Sequence, residues 1–472
     1  MRTNRKIKRG VLIIFGIFFT LSPIIDVNLC LITRYSNISL NCNEIFTLDN
    51  KNLKTSSISG KIYIDNNWTA AKAAGICTGN GTYSAPYIIE DLVIDAGGSG
   101  SGIKIANSTE FFKIENCTLY NSRGLLPWAG LPIEAGILLF NASNGLIIQN
   151  NCSYNDIGIF SYGFNNSISS NLITENKWGI LSFLFNNITG NNISKNSIGI
   201  FSVGYDMILS NIVIKNNYGI YLIEYYGYCT VMQNTVNYNY RAGILLNGSN
   251  SNNISKNEIN HNKVHGIWIT QHFYWWEQPY QNLGYNWISE NTINNNTFGI
   301  TLNYTSNNYV LNNSLNKNEL SGINLHESDS NSISYNIISE SECGINCNVS
   351  IFNEISQNAI KNNFYGISLI SSHKNNIVQN TINYNHYGIS FTASIRNEII
   401  SNVLHYNWMC FIEDQDSYSN NFENNDCIET RAKEKAWIVP LLITTSIITP
   451  LIGVAIMIVL YRRYKGTRSE IR

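Results

Sequence analysis

Two stretches of this chain concentrate side chains that could do chemistry. Between Ile267 and Trp287 lie Trp268, His272, Phe273, Tyr274, Trp275, Trp276, Glu277, Tyr280 and Tyr285, and upstream of them lie Tyr221, Glu224, Tyr225, Tyr226 and Tyr228. Exposed rings with a few polar neighbours suit the apolar faces of sugar rings, and a long loop on a rigid scaffold is where binding usually sits. The candidate ligand-binding set is therefore Trp268, His272, Tyr274, Trp275, Trp276, Glu277, Tyr280, Tyr225 and Tyr226. His272 with Glu277 also offers an acid–base pair. The competing reading is that these rings fold down onto the scaffold as a satellite core.

Hydrolysis or elimination on a sugar polymer asks for more than rings: paired carboxylates, or acidic calcium ligands beside a Lys or Arg base. Aspartates are few and scattered, at Asp156, Asp206 and Asp329. Glu413, Asp414 and Asp416 cluster but read as a solvated rim, and Glu90, Asp91 and Asp95 read as surface or turn groups. A further insert carries Arg123, Trp128 and Glu134. Cys343 and Cys347 have a spacing seen in metal sites, yet no His neighbours them. No catalytic residue, metal or cofactor is assigned. With a net charge of −1 and 13% charged residues there is no basic face for nucleic acid.

What must position these side chains is a repeat. Gly-Ile occurs thirteen times between residues 102 and 389, and from Gly136 to Gly266 the steps are 22, 21, 20, 20, 24 and 23 residues. After a gap of 33 the count resumes at Gly299 and runs to Gly388 in steps of 23, 22, 22 and 22. Aligned coils read Asn-x-Ile-x-x-Asn-x-Ile-x-x-Asn-x-x-Gly-Ile-x-Leu, as at Asn375, Ile377, Asn380, Ile382, Asn385 and Gly388. Three alternations of period two in each coil mean three short strands and no room for a helix. Asn and Gly at the punctuation suit corners, because both tolerate left-handed backbone. Stacked at about 4.8 Å, thirteen or more coils place Ile on Ile and Asn on Asn, the latter as amide ladders. Most of the Asn, roughly one residue in six, is thereby structural. The fold class expected is all-β: a single-stranded parallel β-helix of about 22 residues per coil, with a short capping helix at Trp68–Ala74 and a C-terminal transmembrane helix.

The flanks divide the chain further. Arg2 to Arg9 before an apolar run reads as a signal peptide or N-terminal anchor over 1–27, and 28–58 as linker or cap. The β-helix is assigned 59–427, a stalk 428–436, a transmembrane helix Trp437 to Tyr461 and a basic cytoplasmic tail 462–472. This layout predicts a single-pass cell-membrane protein with the β-helix outside the cell. Cys152, Cys347 and Cys427 fall in strand positions held elsewhere by apolar residues, so they read as core, whereas Cys30 and Cys42 are the better disulfide pair.

The segment Gly75-Ile-Cys-Thr-Gly-Asn-Gly-Thr-Tyr-Ser-Ala-Pro-Tyr-Ile-Ile-Glu-Asp-Leu-Val-Ile-Asp-Ala-Gly-Gly98, followed by the Asn-x-Ile and Gly-Ile-x-Leu coils, resembles the NosD-type right-handed β-helix proteins. These belong to the wider pectate-lyase-like group of carbohydrate-binding proteins and sugar hydrolases, and the opening is similar to that of archaeal surface proteins. The likeness spans roughly residues 60 to 427 and implies the hand of the helix. It implies chemistry only weakly, since the shared residues are those that build coils. The neighbouring-Asp, Gly-His-Asp and Arg-Ile-Lys signatures of sugar hydrolases of this shape are missing. The functional expectation is a surface protein that binds a glycan or a surface-protein partner without catalysis. Two alternatives stay open: a polysaccharide lyase or hydrolase with an atypical site, and an accessory protein for an exported metalloenzyme or transporter.

Overall fold

The computed structural model describes residues 57–124, 133–223, 227–271 and 284–430. Each coil contributes one strand to each of three faces. A broad sheet runs for fifteen strands from Ile62–Asp65 to Met409–Glu413, and a narrow sheet for fifteen from Tyr87–Glu90 to Asn421–Glu423. The third face is a seven-stranded sheet ending at Ile212–Ile214 and an eight-stranded one starting at Glu258–Asn260, joined through bridges at Thr235. Every strand pair is parallel, and residues of like phase meet: Ile338 pairs with Ile360 and Ile360 with Ile382, one coil of 22 residues apart. This is the expected parallel β-solenoid, in about fifteen turns.

The interior is a set of aliphatic columns. The Ile of Gly-Ile is fully buried in coil after coil, at Ile137, Ile159, Ile180, Ile200, Ile220 and on to Ile389. Each such side chain contributes about 1.5 to 3 kcal/mol by leaving water. Its partner glycine is required for close approach and not for left-handed backbone, since φ is not positive at these glycines. A Cβ on Gly158 would lie 2.7 Å from the carbonyl oxygen of Gly179 and 2.9 Å from Ile173. Cys152 and Cys347 take Ile and Leu positions and are fully buried, as expected.

Left-handed backbone falls one residue before the Asn. Tyr154, Glu175, Lys195, Lys215, Tyr238 and His261 all have φ of 56 to 59°. Such residues give up roughly 1 to 2 kcal/mol there, and the following Asn offsets the cost. Asn176 is typical: its backbone N–H donates to Asn196 Oδ1 at 2.9 Å, and its Nδ2 donates to the Cys152 carbonyl at 3.0 Å and to Asn196 Oδ1 at 3.1 Å. Three such ladders, one per corner, satisfy polar groups at corners that would otherwise be buried without partners.

At the N-terminal end helix α1 (Trp68–Ala73) buries Trp68 and Ala71, and the Trp68 indole stacks on Tyr87 at 4.8 Å while donating to Ser108 Oγ at 2.8 Å. The helix falls where the sequence placed one, at Trp68–Ala74. At the other end Cys427 is exposed and disulfide-bonded to the buried Cys410, so it is not a core residue. Among the described residues no further coil follows to turn its strand position into an interior. The strand Asp426–Glu429 runs across the junction at which a stalk was expected. The expectation of a membrane location is corrected: among the described residues no helix is long and apolar enough to cross a membrane. The segments behind it, 1–27 and 437–461, lie outside the described residues, as do Cys30, Cys42 and the tail 462–472.

Candidate functional site

Because the corner between the third face and the broad sheet repeats the same three positions, its side chains form columns on the flank of the rod. The left-handed residue before the ladder Asn is Tyr154, then Glu175, then Lys195. The residue after it is Asp156, then Lys177, then Ser197. Left-handed geometry turns the first set outward, and the ladder of Asn155, Asn176 and Asn196 holds the spacing. Arg123, arriving from the coil before, borders a shallow, open cleft of about 1140 Å³ lined by Arg123, Tyr154, Asp156, Glu175, Lys177 and Lys195.

Asp156 is its organising group. Only 7% of its side chain is exposed; Oδ1 pairs with Lys177 Nζ at 2.8 Å and with Arg123 Nη1 at 3.6 Å, and Oδ2 accepts from the Gly124 N–H at 3.1 Å. A carboxylate this enclosed is held by its cations, and removing Lys177 would leave it only the longer contact to Arg123. On the open side Lys195 Nζ donates to Glu175 at 3.0 Å. The Tyr154 hydroxyl and Lys195 hold the Glu175 carboxyl below the usual carboxylate range, while Glu175 pushes the Tyr154 hydroxyl up. Near neutral pH the pair is therefore a carboxylate and a neutral phenol. Neither is poised near the operating pH as a proton-transfer group wants to be. Just above the cleft Glu134 accepts a hydrogen bond from Ser101. The whole presents alternating hydrogen-bond donors and acceptors to solvent.

The aromatic candidates are placed differently. Trp268 is half-buried, stacked on His265 with ring centroids 4.8 Å apart, and packed on an apolar layer along the outer face of the broad sheet. Tyr221 lies buried in that layer and accepts a 2.8 Å hydrogen bond from Asn247 Nδ2. Both fit the reading that rings fold onto the coils. His272, Tyr274, Trp275, Trp276, Glu277 and Tyr280, together with Tyr225, Tyr226 and Trp128, lie outside the described residues. Tyr228 is exposed but stacks on Tyr205 at 5.4 Å, and Tyr205 on Phe185 at 4.5 Å. Rings stacked coil upon coil spend their faces on one another and show edges to solvent, which is a poor platform for sugar.

Four of the other carboxylates bond to the scaffold. Asp414 accepts from Ala393 N–H and Ser417, and Glu413 from Asn420 Nδ2, finishing the last coil. Asp91 and Asp95 accept from Asn116 and Asn121 at early corners. Of the cleft, the sequence reading had singled out Arg123 and Asp156 but had not joined them. It missed Tyr154, Glu175, Lys177 and Lys195. Aligning coils on the ladder Asn would have put Glu175 above Tyr154 and Lys177 above Asp156, an alternation of charge at one repeat phase.

A family model described as right handed beta helix region matches residues 36–217, 183–274 and 219–382. Among solved structures, the A-module of a mannuronan C-5 epimerase from Azotobacter vinelandii is similar at 12% identity over 77% of this chain and 94% of that one, with a TM-score of 0.43. A periplasmic alginate epimerase matches at 14% identity over 72% and 85%, with a TM-score of 0.38. The DFA-IIIase of Arthrobacter chlorophenolicus, without its lid and in complex with GF2, matches at 13% over 61% and 70%, with a TM-score of 0.37. No curated protein matches.

Proposed function

Since the chain belongs to the right-handed β-helix family, we propose that it is a carbohydrate-binding member that holds its ligand in the flank cleft without transforming it. The observation that carries this reading is the arrangement around Asp156: a buried carboxylate fixed by Lys177 and Arg123, beside the open Glu175–Lys195 pair and the Tyr154 hydroxyl. Such a set offers a sugar chain hydrogen-bond donors and acceptors at each coil, spaced by about 4.8 Å along the rod. The protonation states of Glu175 and Tyr154 favour binding over proton abstraction, because a firmly ionised acid and a raised phenol make a weak acid–base couple. Within the family, the Gly75 to Gly98 opening favours a grouping with NosD-type members.

A glycan array followed by calorimetric titration of the best ligand tests the proposal. Lys177→Ala and Lys195→Ala should each weaken binding by tenfold or more, while Trp268→Ala should leave it within a factor of two. Equal affinity in wild type and both lysine variants would remove the cleft assignment. New reducing ends or unsaturated products during incubation would instead favour a lyase or hydrolase.

A further inference from the structure

The corner between the broad and narrow sheets carries an amide ladder through Asn166 and Asn186, and again from Asn252 through Asn286, Asn308, Asn331 and Asn353. Two consecutive rungs differ: Asp206 and Cys229 stand where the others have Asn. Asp206 is completely buried. Its Oδ1 takes the ladder bond from the Asn186 N–H at 2.9 Å, as an Asn oxygen would. Its Oδ2 sits where an Asn nitrogen would, 2.7 Å from Ser202 Oγ, just as Asn186 Nδ2 sits 3.1 Å from Ser182 Oγ one coil earlier. Ser202 Oγ in turn lies 3.3 Å from Cys229 Sγ. The interior thus contains a connected row of Asp206, Ser202 and Cys229, in a position where the repeat elsewhere uses uncharged amides.

Chemistry distinguishes the two protonation states of this rung. A protonated Asp206 has one oxygen that accepts and one O–H that donates, the same pattern as an Asn amide. An ionised Asp206 can only accept, and brings a full charge into a dry interior. Among the described residues no cation faces it. The groups against it are Ser202 and Ser182 from the broad sheet, the Asn186 N–H from the preceding coil, and Cys229 from the following one. Among the described residues Cys229 is the sole titratable neighbour, and burial pushes its thiol up to about 12, so it stays neutral.

We propose that Asp206 is a pH-sensitive rung: protonated, it completes the ladder and closes the corner; ionised, it loosens the coils that meet at residues 182–186, 202–207 and 227–230. Burial raises the Asp206 carboxyl to about 6, from an ordinary value of 3.8. The sign follows from linkage. Below about pH 4 both folded and unfolded chains are protonated at this site and there is no penalty. Between about pH 4 and 6 the unfolded chain ionises while the folded one resists, so stability falls as pH rises. Above about 6 both are ionised, and the loss is complete and constant. The corner that loosens displays Tyr205, whose ring stacks between Phe185 and Tyr228.

Thermal unfolding of the full chain from pH 4 to 8 tests this, comparing wild type with Asp206→Asn. The wild-type melting temperature should drop between pH 4 and 6.5 relative to the variant, and Asp206→Asn should be the more stable protein at pH 7.5. A difference between the two that is the same at pH 4 and pH 7.5 would overturn the proposal. A second measurement needs no variant. Hydrogen exchange of wild type, corrected for intrinsic rates, should show protection of the Asn186 and Met207 amides falling at least tenfold from pH 5 to 7.5, while the Asn313 and Asn336 amides hold theirs. Parallel behaviour at both places would equally sink the idea.

Discussion

The outer face of the broad sheet changes character halfway along the rod. From Leu138 through Phe160, Leu181, Phe201, Tyr221 and Leu245 one residue per coil is large, apolar and nearly buried, although it points away from the axis. From Thr301 through Asn324, Asn346, Ser368 and Ser390 the same position is small and polar, and Asn346 Nδ2 donates to Asn324 Oδ1 at 2.8 Å. Inside, nothing changes: the Ile column continues unbroken through both halves. The contrast teaches that stacking demands likeness only where neighbouring coils enclose one another. Outside, each half is free to serve its surroundings, and the cleft lies beside the apolar half.

The comparison can be broken or sharpened by substitution. The largest effect belongs to the column common to both halves. Ile220→Ala and Ile345→Ala should each cost about 3 to 4 kcal/mol by urea unfolding, and unequal costs would show the interior to be less uniform than it looks. Next comes the ladder. The Asn336 side chain donates to the Val310 and Ser334 carbonyls and to Asn358 Oδ1, and accepts from Asn313, so Asn336→Ala should cost about 3 kcal/mol. The outer faces should then separate. Phe201→Ala is expected to lose about 2 to 3 kcal/mol and Asn346→Ala under about 1 kcal/mol; similar losses would erase the distinction.

A pH effect is also expected at the junction of the halves. Burial lowers His265 to about 4, and its Nδ1 lies 2.9 Å from Thr301 Oγ1. A depressed His stabilises the fold above its unfolded value of about 6.5 and loses that contribution as pH falls toward 4. By about pH 5 the loss should be about 2 kcal/mol, and it should be absent in His265→Phe. The smallest change is on the rim: Lys195→Ala should shift stability by less than about 0.5 kcal/mol while weakening ligand binding, which separates the cleft's binding role from any role in the scaffold.

The coil was legible because a solenoid writes its tertiary neighbours into the sequence at a fixed offset. Ile360 and Ile382 announce each other 22 residues apart, and the Asn columns do the same. Cys152 and Cys347 could be assigned to the core on phase alone. Phase failed where no further coil follows among the described residues, as at Cys427. The cleft was half visible: Arg123 and Asp156 stood out by type, but Glu175, Lys177 and Lys195 look like ordinary surface charges until adjacent coils are stacked.

By itself, then, the amino-acid sequence determined the repeat, its strands, its interior and its ladders, because period-two burial and a constant coil length are local properties that need no knowledge of the rest of the chain. Only the tertiary structure decided that the left-handed residue precedes the Asn, that Gly is there for the next coil's carbonyl, and that charges one coil apart share a cleft. Those depend on the few ångströms between stacked coils, a distance the order of residues does not contain.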